Sequence, residues 1–214
     1  MADELPNTEP LLVLSAAGDE AAWGALLVAH QERLARMVAF RMDPRVRGRI
    51  DAADIVQEAF VEASAHREVY FRAPTVPLFL WLRGVVRNKL LEMHRHHLGA
   101  QMRDAKRDRP LDCPVQSDEM SAVLCAHLTA GLTRASVAAV RDEIKARLTE
   151  TLDRMEPADR EILAMRHFEQ LTNAEAAQVI GIQERAAAKR YLRALERLKQ
   201  TLSAMPGGLT EVRI

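Results

Sequence analysis

The sequence predicts an all-α protein of two helical domains joined by a long, partly helical linker, and three observations predict it. Ala, Leu, Arg and Glu dominate the 214 residues while aromatics make up only 4%, a composition that favours helix over sheet. Apolar residues recur at steps of three and four through almost every long segment. Asp, Pro and Gly interrupt that rhythm where helices start and stop. The length suits one to two domains, and 48% hydrophobic with 28% charged residues excludes wholesale disorder.

A short helix is expected around Leu11 to Ala17. Asp19 then caps a helix running to about Met42, with Trp23, Leu26, Leu27, His30, Leu34, Met37 and Val38 as its apolar stripe. Asp43-Pro44 breaks it. A further helix runs from about Asp51 to His66. Val69 to Pro77, with two prolines and adjacent aromatics, reads as a loop. Leu78 to His97 returns to helix, with Phe79, Leu82, Val86, Leu90 and Met93 on one face. These helices form a first module over residues 10–100.

Residues 101–134 read as linker, with one short helical pattern at Met120 to Leu128. The second module, 135–203, opens with a helix whose Val137, Val140, Ile144, Leu148, Leu152 and Met155 step by three and four. Pro157 starts the next helix, to about Phe168. Thr172 to Glu175 forms a capping box for a short helix ending at Gly181, a left-handed C-cap. The last helix spans about Glu184 to Leu202, and 204–214 is a tail.

Several functional classes are excluded. Two cysteines, Cys113 and Cys125, make no disulfide framework and point to a reducing cytoplasm. No apolar run approaches the ~18 residues of a membrane span, and the acidic segment Met1 to Pro10 lacks the basic start of a signal peptide. There is no nucleophile–base order, phosphate loop or HExxH, so no enzyme and no cofactor are expected. His94, His96, His97 and His127 with the two cysteines match no closed zinc spacing, so no metal is expected, and the three clustered histidines read as solvated.

Three constellations carry function. The first is a capped short helix, a Gly-Ile-Gln turn and a basic helix, the grammar of a helix-turn-helix. Arg185, Lys189, Arg193 and Arg197 line one face with Arg190 beside them, while Ala187, Tyr191, Ala194, Leu195 and Leu198 face inward. Residues 184–199 hold six bases and two acids, a stripe suited to a major groove. The second is acidic: Asp51, Asp54, Glu58 and Glu62 share a face flanked by Gln57, with no base from 51 to 62. The helix dipole explains Asp51 and Asp54. It does not explain Glu58 and Glu62, whose i,i+4 repulsion costs ~0.2–0.5 kcal/mol per pair, and a basic partner would reverse that penalty. The third is the helix after the double-proline loop, with eight bases and three acids over 83–109. Trp81, Asn88, Glu92 and Arg95 share a meridian near Tyr70 and Phe71, expected exposed, where an unstacked base could be held. Trp81 at helical spacing reads more readily as core than as a base contact, and the arginines as solvated.

Together these residues resemble the sigma-70 type RNA polymerase sigma factors, extracytoplasmic-function class. Asp51-Ala-Ala-Asp54-Ile-Val-Gln57-Glu58-Ala-Phe60 is similar to the region 2 signature D-x-x-D-[LI]-V-Q-E-x-F. Trp81-Leu82, Arg87-Asn88, Glu92 and Arg95 look like its continuation, with Glu92 where the family has Asp. Pro157 to Leu171 and Glu175 to Ile182 look like region 4, and Ala174 to Leu198 resembles planctomycete members. Arg185-Ala186-Ala187-Ala188 departs from the family's Gly-Thr-Val-Lys/Arg.

The resemblance implies an alternative sigma factor directing promoter-specific initiation. Asp54, Gln57 and Glu58 would face the β′ clamp helices of core polymerase. Tyr70, Phe71, Arg87, Asn88, Lys89 and Arg95 would serve the −10 element. Lys189 and Arg193 would read −35 bases, with Arg185 and Arg190 on phosphates. The second module would dock on the β-flap tip, and an anti-sigma factor is a further candidate partner. The rival reading is a free-standing helix-turn-helix regulator, which needs neither the acidic stripe nor the 83–109 block. The 30 bases and 30 acids cancel in sum, yet they are sorted into opposed regions.

Overall fold

The computed structural model describes residues 8–98, 117–128 and 137–204. Every regular element among them is helical, and the chain divides into two compact units, Met1–Cys113 and Pro114–Ile214.

In the first unit, α1 (Glu9–Ala16) is joined to α2 (Glu20–Arg41) by Gly18, whose φ of 98° is open to glycine at little cost. The Asp19 carboxylate accepts from the Ala22 N–H at 2.9 Å and caps α2. At the other end Arg47 donates to the carbonyls of Met42 at 3.1 Å and Ala39 at 2.9 Å, supplying cation and hydrogen bonds where the helix leaves acceptors bare. Asp51 caps α3 (Ala52–Ala65) through the Ala53 N–H at 3.0 Å. The expected α2 stripe is buried throughout, against Ile55, Val56, Ala59 and Phe60 of α3 and Leu82, Val86 and Leu90 of α5 (Leu78–Leu98).

The structure differs at Val69 to Pro77. A helical turn and a half, α4 (Arg67–Arg72), occupies the first part of the expected loop. Its aromatics cause this. Tyr70 lies on Trp81 with ring centroids 4.9 Å apart, and Phe71 meets Trp23 edge-on at 6.1 Å. Burying both rings requires neighbouring residues to project to one side, which a helical turn achieves and an extended loop does not.

In the second unit, α6 (Ser117–Leu128) falls inside the stretch read as linker, 101–134. It packs antiparallel on α7 (Val137–Asp153), with Met120, Ser121 and Cys125 buried. Ser121 and Thr149 hydroxyls meet at 2.7 Å, the Cys125 thiol donates to the Arg141 carbonyl at 3.4 Å, and Arg160 holds the Ser117 hydroxyl at 3.0 Å. Ile144, Leu148, Leu152 and Met155 are buried as expected; the side chains of Val137 and Val140 lie outside the described residues, as do Cys113 and the tail.

Pro157 opens α8 (Pro157–His167) at its first turn, and the capping box on α9 (Asn173–Ile180) is complete. The Thr172 hydroxyl accepts from the Glu175 N–H at 3.1 Å and the Glu175 carboxylate accepts from the Thr172 N–H at 2.7 Å. Gly181 stands at φ 75°, ψ 36°, the left-handed conformation that releases the chain into α10 (Glu184–Ser203). Thr172→Ala removes one arm of the box and should cost about 1 kcal/mol of local stability, read as faster amide hydrogen exchange in α9 with α3 unaffected.

Candidate nucleic-acid interface

On α10, Arg185, Lys189, Arg193 and Arg197 are exposed, while Ala187, Ala194 and Leu198 are buried and Tyr191 and Leu195 half-buried. Among the described residues Arg185, Lys189 and Arg197 make no side-chain hydrogen bond or ion pair, so their charge is available to an outside anion.

Arg190 differs from its sequence reading as a phosphate contact. Its guanidinium reaches Asp159 Oδ1 at 2.9 Å and Glu156 Oε2 at 3.1 Å, both at the start of α8. The hydrogen bond to Asp159, then that to Glu156, raises its pKa above the ordinary value. Arg193 also approaches Asp159 Oδ1, at 3.6 Å, but keeps most of its surface in solvent. The Asp159 carboxylate is 2% exposed and is the functional residue that sequence reasoning missed. The available signal was an acid two residues after a helix-opening proline, on the helix facing the basic one. At the other end of α8, Tyr191 Oη lies 3.1 Å from His167 Nε2 and Arg166 stacks over the Tyr191 ring. Two polar clamps therefore hold α10 on α8 and fix which cations point outward. Leu192, 63% exposed, lies among them and was also passed over.

In the first unit, Asp54, Gln57, Glu58 and Glu62 of α3 are all exposed, and Asp51 is engaged as the helix cap. Val61, 74% exposed, lies in the same face, an apolar residue among acids that the sequence reading did not single out. Glu58 is paired at 3.1 Å with Lys89 of α5, which also reaches Glu92 at 3.2 Å. These two carboxylates, Glu58 foremost, raise the Lys89 pKa. Lys89 therefore lies toward the acidic face, between α3 and α5.

On α5, Asn88, Glu92 and Arg95 are exposed on one meridian, and Arg87 leans toward Asn88 Oδ1 at 3.5 Å. The aromatics are placed otherwise than expected. Tyr70 is 8% exposed and donates its hydroxyl to the Val76 carbonyl at 3.1 Å, while Phe71 is half-buried. With Trp23, whose indole N–H donates to the Ser64 hydroxyl at 2.8 Å, and Trp81, they form one packed cluster. Trp23 and Tyr70 are buried within it and Phe71 and Trp81 half-buried, and Ala73 to Thr75 and Pro77 are left exposed around half-buried Val76.

His94 also corrects its sequence reading. It is 5% exposed and its Nε2 accepts the Asp43 N–H at 3.2 Å, which requires that nitrogen to be unprotonated. Burial pushes its pKa below 6.5. Asp43 itself is held at about 2 by its hydrogen bond from Arg45. His96 and His97 are exposed as expected. Among the described residues no cluster of three or more His, Cys, Asp or Glu side chains could hold a metal, and no helix is long and apolar enough to cross a membrane. Cys125 is buried, which raises its thiol pKa.

Comparison with known proteins gives a family, a relative and two solved structures. The family model described as Sigma-70, region 4 matches residues 145–198, spanning most of α7 through α10. The RNA polymerase sigma-H factor of Pseudomonas aeruginosa is 27% identical over 190 residues, 88% of this chain and 90% of that protein. CnrH, solved in complex with the cytosolic domain of CnrY, superposes with a TM-score of 0.51 at 22% identity, covering 93% of this chain and 99% of the other. The Bartonella quintana sigma factor RpoE, solved with the anti-sigma factor NepR, is similar at 16% identity, 86% and 98% coverage and a TM-score of 0.47.

Two expectations follow from the geometry. Asp159→Ala leaves Arg190 with Glu156 alone and should destabilise the second unit by about 1.5–3 kcal/mol, measured by urea unfolding followed through a fluorescent label in that unit. The His94 sign is also fixed. The unfolded ring gains its proton near the ordinary 6.5 while the folded ring resists it, so the unfolded state binds more protons as pH falls. The first unit should lose stability as pH drops below about 6.5, and His94→Gln should flatten that slope in thermal melts across the range.

Proposed function

We propose that this chain is an alternative sigma factor of the sigma-70 family, extracytoplasmic-function class, and that its two units divide the labour between core polymerase with melted promoter DNA and duplex DNA. The observation that carries this division is the separation of charge: an exposed acidic face on α3 in one unit and an exposed basic face on α10 in the other. RNA polymerase core and promoter DNA are the partners. The rival reading, a free-standing helix-turn-helix regulator, leaves the α3 face without a role.

In the first unit, Asp54, Gln57 and Glu58, with Val61 in the same face, bind the basic clamp helices of β′. Carboxylates that repel one another along α3 gain from any cationic surface laid against them. Arg87, Asn88 and Arg95, with the segment 73–77, meet the −10 element. Tyr70 and Phe71 shape that segment from within, and Lys89 bridges the two faces. In the second unit, Lys189 and Arg193 read −35 bases and Arg185 contacts phosphate, while Arg190 is a positioning residue that orients α10. The unit also docks on the β-flap tip, and an anti-sigma factor is a further candidate partner. The protein acts in the cytoplasm and is no enzyme; its binding energy positions polymerase and stabilises opened DNA.

Purified protein added to core polymerase should yield promoter-specific transcripts. Absence of core binding together with tight duplex binding would overturn the reading in favour of the rival. Lys189→Ala and Arg193→Ala each delete one base-reading side chain and should each weaken use of the −35 element by ~1–3 kcal/mol, measured as promoter preference; unchanged preference would remove them from the readout. Asp54→Lys with Glu58→Lys should lower core affinity while circular dichroism stays constant.

A further inference from the structure

We propose that Leu192 reads the 5-methyl group of a thymine in the −35 duplex, an inference that rests on the sigma-factor reading above. The outermost line of α10 runs Arg185, Lys189, Leu192, Glu196, at steps of four, three and four residues. Leu192 leaves 63% of its surface in water there, on the face opposite the buried Ala187, Ala194 and Leu198. The core of the unit is complete without it.

An isolated exposed leucine needs no explanation, but this one stands among cations: Lys189 lies one turn before it and Arg193 beside it. Leucine adds little to helix propensity that lysine or glutamate would not also give. A protein surface would have to tolerate the net positive charge of 184–199 around one small apolar side chain. A DNA major groove accepts both, because phosphates line its walls and the thymine methyl is the apolar feature on its floor. Ala186 and Ala188, between Arg185 and Lys189, carry side chains short enough for the helix backbone to come close to the base edges. Glu196, one turn beyond Leu192, would meet phosphate repulsion, so the reading portion of the face ends at Leu192 and Arg193. Leu192 is the ninth residue of α10, about 12 Å along its axis, within the N-terminal part that a recognition helix inserts.

The test uses holoenzyme assembled on core polymerase and a promoter identified by transcript mapping. Each thymine of the −35 duplex is replaced singly by deoxyuridine, which keeps the base pair and deletes only the methyl group. One or two replacements should lower promoter use by the wild-type protein roughly three- to fivefold, the factor for one apolar carbon buried from water. Leu192→Ala should reduce use of the unmodified promoter to that same level and become indifferent to the replacement. Leu192→Met should keep the sensitivity. The proposal is overturned if no thymine methyl matters to the wild type, or if Leu192→Ala retains full sensitivity. It is also overturned if Leu192→Ala instead lowers core affinity, which would make the residue a protein-docking one. Core binding is measured separately without DNA, so that failure to form holoenzyme counts against the sigma reading itself.

Discussion

A carboxylate removed from water has to find cations, and Asp159 finds two of them on α10, Arg190 at 2.9 Å and Arg193 at 3.6 Å. It sits in the first turn of α8, where the helix dipole already favours an anion. Negative charge held from both sides in this way sets the rotation of α10 about its own axis. That rotation decides the rest of the unit's surface. With Arg190 turned inward, Ala187, Ala194 and Leu198 close the core, and Arg185, Lys189, Leu192 and Arg197 face out. Removing the acid would leave Arg190 with Glu156 alone, a partner two-thirds exposed to solvent, and would take away the contact that turns it inward.

The first unit contains a cation in an outwardly similar position whose energetics are opposite. Lys89 pairs with Glu58 and Glu92, but both carboxylates are more than half exposed. Water and salt reduce such pairs to ~0–1 kcal/mol. A basic partner can therefore take Glu58 from Lys89 at small cost, and Lys89 then has only Glu92. Arg190 has no comparable freedom. Two cations that the sequence presents alike thus belong to different parts of the mechanism, one fixed in the fold and one exchangeable at a surface. Depth of burial of the acid partner makes the difference.

What was legible in the sequence was local. Asp19, Asp51, Thr172 with Glu175, and Gly181 announce helix ends through bonds made within three or four residues, and the apolar stripes of α2, α3 and α5 follow from helical period alone. What was not legible depends on partners distant along the chain. Tyr70 is buried because Trp81 lies across from it, His94 because the Asp43 N–H needs an acceptor, and Arg190 because Asp159 lies on another helix. Helix α6 was legible as a short pattern at Met120 to Leu128, but its place in the second unit was not, because it is held there by the distant Ser121–Thr149 and Cys125–Arg141 hydrogen bonds. Val61 and Leu192 were visible in principle, since each breaks an otherwise polar face.

The aromatic cluster imposes the last constraint. Trp23, Tyr70, Phe71 and Trp81 are packed on one another with centroids 4.9 to 6.5 Å apart, which buries Trp23 and Tyr70 and leaves Phe71 and Trp81 half-buried. A base brought to this end of α5 cannot be sandwiched by Tyr70 without dismantling the stack and losing the Tyr70–Val76 hydrogen bond. The groups left to meet it include the exposed residues 73–75 and 77, the Asn88 amide, and the cations of Arg87 and Arg95. Under the function proposed above, recognition there would be a matter of hydrogen bonding to a base edge and of phosphate charge, with the buried aromatic rings holding the segment in shape. A rigid cluster beneath an exposed segment lowers the ordering entropy that binding would otherwise cost. For that reason aromatics expected to stack on DNA are more useful to it buried.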